Sequence, residues 1–441
     1  MTGPRDNVEL DGLLRACVGC GLCLPHCATY LVTGNETLSP RGRLLLFGEV
    51  LHGRLPAAAP DVTRPFDLCL GCFACTAACP SGADAVLIRQ LKDLGAATRA
   101  RRCDPLALLD RGAALRALRR VGHVAASVLG QTLGMHWRRR LDGQPLVARV
   151  ARLLGTVPAA PPTDRALERL IEQLIAKSGL PAASPLPAAS GASARAGARV
   201  GWFRGCADAA LLPSTAGRLR RLLVELGCEI VDPNGQDCCG AIATHAGRAG
   251  RVRSLRRRNL AAFAPELASC DHVVVAAAGC GLELRDYPAE LSTRVVDAVV
   301  LLERLAPAGL GAVPLKVAVH DPCHARHGQG IVAEPRRLLG RIPGLQLVEP
   351  AEAEVCCGSA GVYGVRHAAL SREIGLRKAR VLVATGCDLV VTTNPGCLGQ
   401  IADSLAIIAP TVPVLPLTDL LWYAWRTGSR APRSRNTLTD T

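Results

Sequence analysis

At 441 residues the chain is long enough for two to four domains with separate cores. Hydrophobic residues are 49% of it but aromatics only 3%, so packing has to rest on Leu, Val and Ala. The net charge of +15 comes from an Arg bias, with four Lys among 52 basic residues, and no aromatic-interleaved basic motif accompanies it, which argues against nucleic acid as a partner. The charge favours an acidic partner surface or anionic lipid instead.

Met1–Leu10 is polar and lacks the apolar segment of a signal peptide. No uninterrupted apolar run approaches the ~18 residues that cross a bilayer. The expected location is therefore the cytoplasm, with peripheral contact at the inner face of the cell membrane. There, 20 cysteines speak for metal or redox chemistry rather than disulfides.

Residues 1–102 read as a helical ferredoxin-like module. It carries Cys17-x2-Cys20-x2-Cys23-x3-Cys27 and, after 41 intervening residues, Cys69-x2-Cys72-x2-Cys75-x3-Cys79-Pro80. Each run has the spacing that ligates a 4Fe–4S cube, with three thiolates from a tight loop and a fourth from a distant segment. Small neighbours (Gly19, Gly21, Gly71, Ala74, Ala78) let the backbone approach the cluster. Where two such runs occur, the fourth Cys of each serves the other cube. Cys17, Cys20, Cys23 and Cys79 are accordingly assigned to one cluster, and Cys69, Cys72, Cys75 and Cys27 to the other. One Cys-x2-Cys pair could belong to a zinc site, but two matched four-Cys runs suit it poorly. The first run departs from the second in one respect, having Ala28 where the second has Pro80.

Between the runs, Ser39 and Pro40 form an N-cap and first position for a helix over Arg41–Leu51, closed by Gly53. A further helix after the second run is predicted from the stripe Val86, Leu87, Leu91, Leu94. Cys103 stands apart and reads as a buried structural thiol. Residues 103–180 form a Leu- and Arg-rich helical connector. Its runs at Arg116–Arg120 and His136–Arg140 read as solvated Arg faces, with anionic lipid headgroups as the rival use. Residues 181–198 are a Pro/Ala/Ser-rich linker.

The remainder is duplicated. Cys206, Cys238-Cys239-Gly240 and Cys280 recur as Cys323, Cys356-Cys357-Gly358 and Cys397, at an offset of 117 residues for the single cysteines and 118 for the pair. Cys270 and Cys387 keep the same offset of 117. Each unit opens with a short apolar strand, Val200–Phe203 or Lys316–His320. A helix follows with Pro213 or Pro335 near its start, and later comes a β-branched strand, Asp271–Val275 or Asp388–Thr392. That alternation predicts α/β units with largely parallel sheets, the first over 199–310 and the second over 311–426, with their cysteines at strand ends and turns. The fold class is thus α+β multidomain: a helical ferredoxin-like module, a helical connector and two α/β units. Residues 427–441 read as a disordered tail.

In each unit four thiols can converge: Cys206, Cys238, Cys239 and Cys280, then Cys323, Cys356, Cys357 and Cys397. The expectation is a further iron–sulfur cluster in at least one of them, with a structural zinc or an empty thiol group as the rival. His320, His324 and His327, near Cys323, read as polar residues satisfied at a turn rather than as ligands.

The chain resembles the iron–sulfur subunit family of bacterial glycolate oxidase (glycolate dehydrogenase) over nearly its whole length. The likeness rests on Arg15-Ala-Cys17-Val-Gly-Cys20-Gly-Leu-Cys23, Pro40-Arg-Gly-Arg43, Cys79-Pro-Ser-Gly82, Gly205-Cys206-Ala207, Cys238-Cys-Gly-Ala241, Gly279-Cys-Gly281, His320-Asp-Pro-Cys323, Cys356-Cys-Gly-Ser-Ala-Gly-Val-Tyr363 and Asn394-Pro-Gly-Cys397. The duplicated Cys-Cys-Gly unit by itself is also shared with heterodisulfide reductases, the anaerobic glycerol-3-phosphate dehydrogenase and lactate-utilisation proteins. In those relatives the unit often ends Cys-x2-Cys; here Ala277 and Asn394 replace the first of that pair, leaving four thiols per unit. The resemblance implies a relay subunit of an oxidoreductase complex. Partner subunits carrying FAD take electrons from glycolate, and this chain passes them towards a quinone or another acceptor. The sequence itself has no Gly-x-Gly-x2-Gly fingerprint for a dinucleotide and no evident substrate-acid pocket. Two other classes stand beside this one: a disulfide-reducing enzyme with catalytic Cys-Cys-Gly sites, and a docking scaffold whose Cys-Cys-Gly units hold structural metal.

Overall fold

The computed structural model describes residues 7–57, 59–82, 163–181 and 197–430. The stripe at 86–94, Cys103, both Arg runs and nearly all of the linker lie outside the described residues, as does most of the connector.

The N-terminal module is helical, with helices Asn7–Arg15, Ala28–Thr33, Pro40–Leu51, Pro60–Asp67 and Ala74–Ala77 holding the cysteine loops between them. The helix expected after Ser39 forms as the capping chemistry requires, because the Ser39 hydroxyl accepts the Gly42 N–H at 3.0 Å. Its inner side packs Phe47 against Leu10, Val62 and Phe66, a small core of its own.

The described end of the connector is the helix Asp164–Ser178. Thr163 caps its start, and Gly179 ends it in the left-handed conformation. Leu167, Ile171 and Leu174, at helical spacing, bury into the larger core beyond.

The duplicated region forms two four-stranded sheets, ordered β2-β1-β3-β4 and β6-β5-β7-β8 and parallel at every pairing. The strands are β1 (Arg199–Phe203), β2 (Glu229–Val231), β3 (His272–Val275) and β4 (Val295–Asp297), then β5 (Lys316–His320), β6 (Gln346–Val348), β7 (Leu389–Thr392) and β8 (Val414–Pro416). The Val-rich central strands are buried on both faces, the pattern expected of parallel sheets sandwiched by helices. Register repeats as faithfully as order. Phe203 pairs with Val275 in the first sheet, and His320, 117 residues later, pairs with Thr392 in the second.

The two units pack on each other reciprocally. The helix Cys206–Leu211 of the first meets Pro395–Ile408 of the second; its counterpart Cys323–Gln329 meets Ala278–Leu284 of the first. The same exchange pairs Pro213–Glu225 with Leu417–Arg430, and Ala333–Leu339 with Ala298–Leu305. The units are therefore related by a pseudo-twofold, and one hydrophobic core runs through strands of both. A buried polar knot crosses this interface: Arg218 Nη1 donates to Asp419 at 3.0 Å, Thr215 Oγ1 donates to the same carboxylate at 3.0 Å, and Arg218 Nε reaches Asp164 at 3.0 Å.

One boundary moves. The final helix runs from Leu417 to Arg430, so residues 427–430 continue it and do not belong to the expected tail. Helix formation is favoured there by the apolar face of Leu420, Leu421 and Ala424, which docks the preceding turns on the core. Residues 431–441 lie outside the described residues. No helix among the described residues is long and apolar enough to cross a membrane.

Candidate metal centres

All eight cysteines of the N-terminal runs line one cavity, an empty space of about 970 Å³ that includes its open mouth. The loops wrap it by alternating backbone hand. Gly19, Gly21 and Gly71 take positive φ, and so does Phe73 at 62°, a conformation that costs a non-glycine residue roughly 1–2 kcal/mol. Such strain is kept where surrounding structure requires it, and here it turns successive N–H groups towards the thiols. Gly71 N–H points at Cys69 Sγ at 3.4 Å. Cys20 is exposed at the mouth, between exposed Val18 and Leu22, whereas Cys27 is buried and the other six are partly buried.

The donor set fits a cluster. The Cys75 thiol is pushed well above its ordinary range, first by burial and then by Cys72, Cys69 and Cys27 around it. Crowded, desolvated thiols are unfavourable as free thiolates, and ligation to iron is what relieves them. Cys27 lies between the two groups, near Cys69 and Cys75 on one side and Cys23 on the other.

The Pro40-Arg-Gly-Arg43 segment holds both loops. Arg41 Nη1 donates to Gly19 O at 3.1 Å. Arg43, only 3% exposed, donates to Pro65 O at 2.7 Å and Thr29 Oγ1 at 3.1 Å, and its Nη1 faces Cys27 Sγ at 3.8 Å. Desolvation opposes that buried charge, and the neighbouring Cys69 and Cys27 sulfurs favour it. Gly42 between them has no room for a side chain, since a Cβ would sit 2.0 Å from Glu36 O. Gly42→Ala should therefore cost about 1–3 kcal/mol and lower bound iron by displacing both arginines, read by thermal denaturation and iron content of anaerobic protein.

In the duplicated units the cysteines gather at the carboxyl ends of the strands, where parallel sheets place their sites. In the first, Cys206 Sγ lies 3.3 Å from Cys238 Sγ, and Cys239 Sγ lies 3.2 Å from Cys280 Sγ. Cys238 is held well below the ordinary thiol range by the S–H groups of Cys206 and Cys239 and by Gly240 N–H. In the second, Cys356 and Cys323 Sγ atoms are 3.8 Å apart, and Cys357 lies against Cys397. Cys270 and Cys387, equally regular in sequence, sit before β3 and β7 at the opposite end of the sheets and away from both sites.

Three features lie beyond the sequence-based expectations. First, the N-terminal module sits directly on the second unit: Tyr363 donates to Leu68 O at 3.1 Å, and Ala28 and Leu70 pack with Val355 and Ile374. That contact brings Cys72 against Cys356, whose thiol is the main cause raising the Cys72 pKa. Second, Asn394 bridges the units, receiving Gly279 N–H at 3.4 Å and donating to Cys397 Sγ at 3.5 Å. Third, the histidines near Cys323 part company. His327 bonds Glu354 O at 2.7 Å, and His324 bonds Gly71 O and stacks on His245 with centroids 5.0 Å apart. His320 differs from both, since it is not at a turn and is not satisfied. It ends β5, 2% exposed, with no partner for Nε2.

A helical module with two four-cysteine loops, fused to a pair of cysteine-rich α/β domains, defines an iron–sulfur electron-transfer protein. Comparison with known families agrees. Residues 13–83 match the 4Fe–4S dicluster domain, and residues 200–285 and 317–402 each match the cysteine-rich domain. The chain is 32% identical to the probable glycolate oxidase iron–sulfur subunit of Bacillus subtilis, over 94% of each chain. It is 30% identical to the glycolate oxidase iron–sulfur subunit of Escherichia coli, over 90% of this chain and 92% of that one. A shorter match, 36% identical over 47% of this chain and 42% of the other, is to a subunit of the fumarate reductase (CoM/CoB) of Methanothermobacter marburgensis. The chain belongs to the family of glycolate oxidase iron–sulfur subunits.

Proposed function

We propose that this chain relays electrons from flavin-bearing subunits of a glycolate (2-hydroxy acid) dehydrogenase towards a quinone or another acceptor. Cys17, Cys20, Cys23 and Cys79 hold one 4Fe–4S cluster, and Cys69, Cys72, Cys75 and Cys27 hold the other. When bound, such clusters accept and release single electrons, so two of them divide the electron pair leaving a flavin. The chain's own residues set the conditions: Arg43 places a buried positive charge beside Cys27 and Cys69, and Arg41 ties the outer loop by Gly19.

The observation that carries this reading is the single cavity lined by eight cysteines, open at Cys20 and closed at Cys72 against the second cysteine-rich unit. The exposed loop at Cys20 would face a flavin-bearing partner and the loop at Cys72 abuts the second cysteine-rich unit, with the cysteine-rich units as further metal-holding sites. Cys206, Cys238, Cys239 and Cys280 are the ligand set of one, and Cys323, Cys356, Cys357 and Cys397 of the other. A disulfide-reducing role fits less well, because Ala277 and Asn394 leave each unit one thiol short of the fuller Cys-x2-Cys ending.

The test is reconstitution. The purified chain alone should not oxidise glycolate with any artificial acceptor, and adding the cognate flavin subunits should restore dye or quinone reduction. Sustained turnover by the chain alone would overturn the relay.

A further inference from the structure

The two cysteine-rich units are not equivalent, and one difference lies at a single matched residue. At the end of the first strand of each, where the register matches, the first unit has Phe203 and the second His320. Phe203 is 1% exposed and stacks on Phe263 with centroids 6.1 Å apart, as a core residue does. His320 is equally buried, yet its Nε2 has no hydrogen-bond partner. Leaving such a group unpaired in the interior costs about 1–3 kcal/mol, so an imidazole there without a partner needs an explanation.

The explanation is in what it faces. One ring nitrogen of His320 and the Sγ atoms of Cys357 and Cys397 lie within 4.8 Å of one another, all three residues buried. Donors around a single tetrahedral ion with bonds of about 2.3 Å stand about 3.8 Å apart, so these three need only a small inward movement to share one. Cys356 and Cys323, 3.8 Å apart beside them, supply a fourth thiolate from whichever turns inward. Asn394, donating to Cys397 Sγ at 3.5 Å, orients that ligand from outside.

We propose that His320 is a metal ligand, and that the second unit binds one zinc ion through His320, Cys357, Cys397 and one further cysteine. Three thiolates and one imidazole are a closed tetrahedral zinc set, with a nitrogen donor where the first unit has the ring of Phe203. This rests on the reading of the cysteine-rich units as metal-holding sites. It goes beyond that reading in naming a non-cysteine donor and in making the units chemically distinct.

The experiment uses the full chain, purified anaerobically and titrated with zinc. Zinc content per chain, zinc-edge X-ray absorption, and the iron content and EPR of the N-terminal clusters are read on the same samples. The expected result is one zinc bound by one imidazole and three sulfurs. In His320→Cys the zinc should remain but the imidazole scattering should vanish, leaving four sulfurs. In His320→Phe, which copies the first unit, the zinc should fall to less than a tenth. Both variants should keep the full cluster signal, which shows that the chain has folded and separates this result from any failure of the relay reading. Zinc that does not bind, zinc with sulfur ligands only in the unaltered chain, or imidazole scattering that survives His320→Cys would each overturn the proposal.

Discussion

Cys27→Ser is expected to abolish the EPR signal of the inner cluster, the one assigned to Cys69, Cys72 and Cys75, and to remove up to four of about eight irons per chain. Serine keeps the size and the hydrogen bonding of this position, where Cys27 Sγ meets Thr29 Oγ1 at 3.2 Å and Leu38 O at 3.6 Å, so the fold should survive. What changes is the donor: a hard hydroxyl replaces a soft thiolate. The prediction depends on crossed ligation, in which the last cysteine of each run serves the other cluster. Cys27 has thiol neighbours on both sides, so spectroscopy decides between them. Loss of the outer signal, with the inner one intact, would mean that each run ligates its own cluster. Because Arg43 faces Cys27 and Cys69, Arg43→Met serves as a companion variant that leaves every ligand in place.

The largest effect on stability is expected at Asp419. Burial pushes its carboxyl pKa up, and the facing Arg218 guanidinium and Thr215 hydroxyl pull against that rise. With Arg218 1% exposed, Asp419→Ala removes the fully buried carboxylate of its ion pair and leaves the half-buried Asp164 at 3.0 Å from Nε. Breaking one side of such a pair costs about 3–5 kcal/mol. For a body of this size that corresponds to a fall of roughly 10 °C in Tm by differential scanning calorimetry. Arg218→Met combined with Asp419→Ala should recover much of the loss, since it removes the buried cation as well. A single variant as stable as the unaltered chain would show that water already reaches the guanidinium.

Much of this architecture was legible in the sequence because it is periodic. The offset of 117 residues between Cys206 and Cys323 places the same strand, helix and turn twice, and the sheets repeat order and register accordingly. The four-cysteine runs were equally readable, since loop ligation is a local property of spacing. What could not be read depends on contacts between distant segments. Cys72 and Cys356 belong to different patterns, and nothing near either residue announces that Leu68 and Tyr363 are bonded partners. Arg43, set between Gly42 and Leu44, looks like a solvated helix cation until the loops close over it. His320 does carry a signal, because aligning the repeats sets it opposite Phe203, but that signal is hidden while it is weighed only with its histidine neighbours.

The reciprocal packing of the two units is the geometry of a homodimer enclosed in one polypeptide. In a true homodimer every substitution near the axis appears twice, so a change useful on one side must also be tolerated on the other. Joining both halves in one chain lifts that condition. Ala277 and Asn394 occupy matching places at this junction, and only the latter reaches across, to Gly279. Fusion thus permits division of labour: one half can keep an aromatic wall while its twin takes up an imidazole, with no second copy of either change to accommodate.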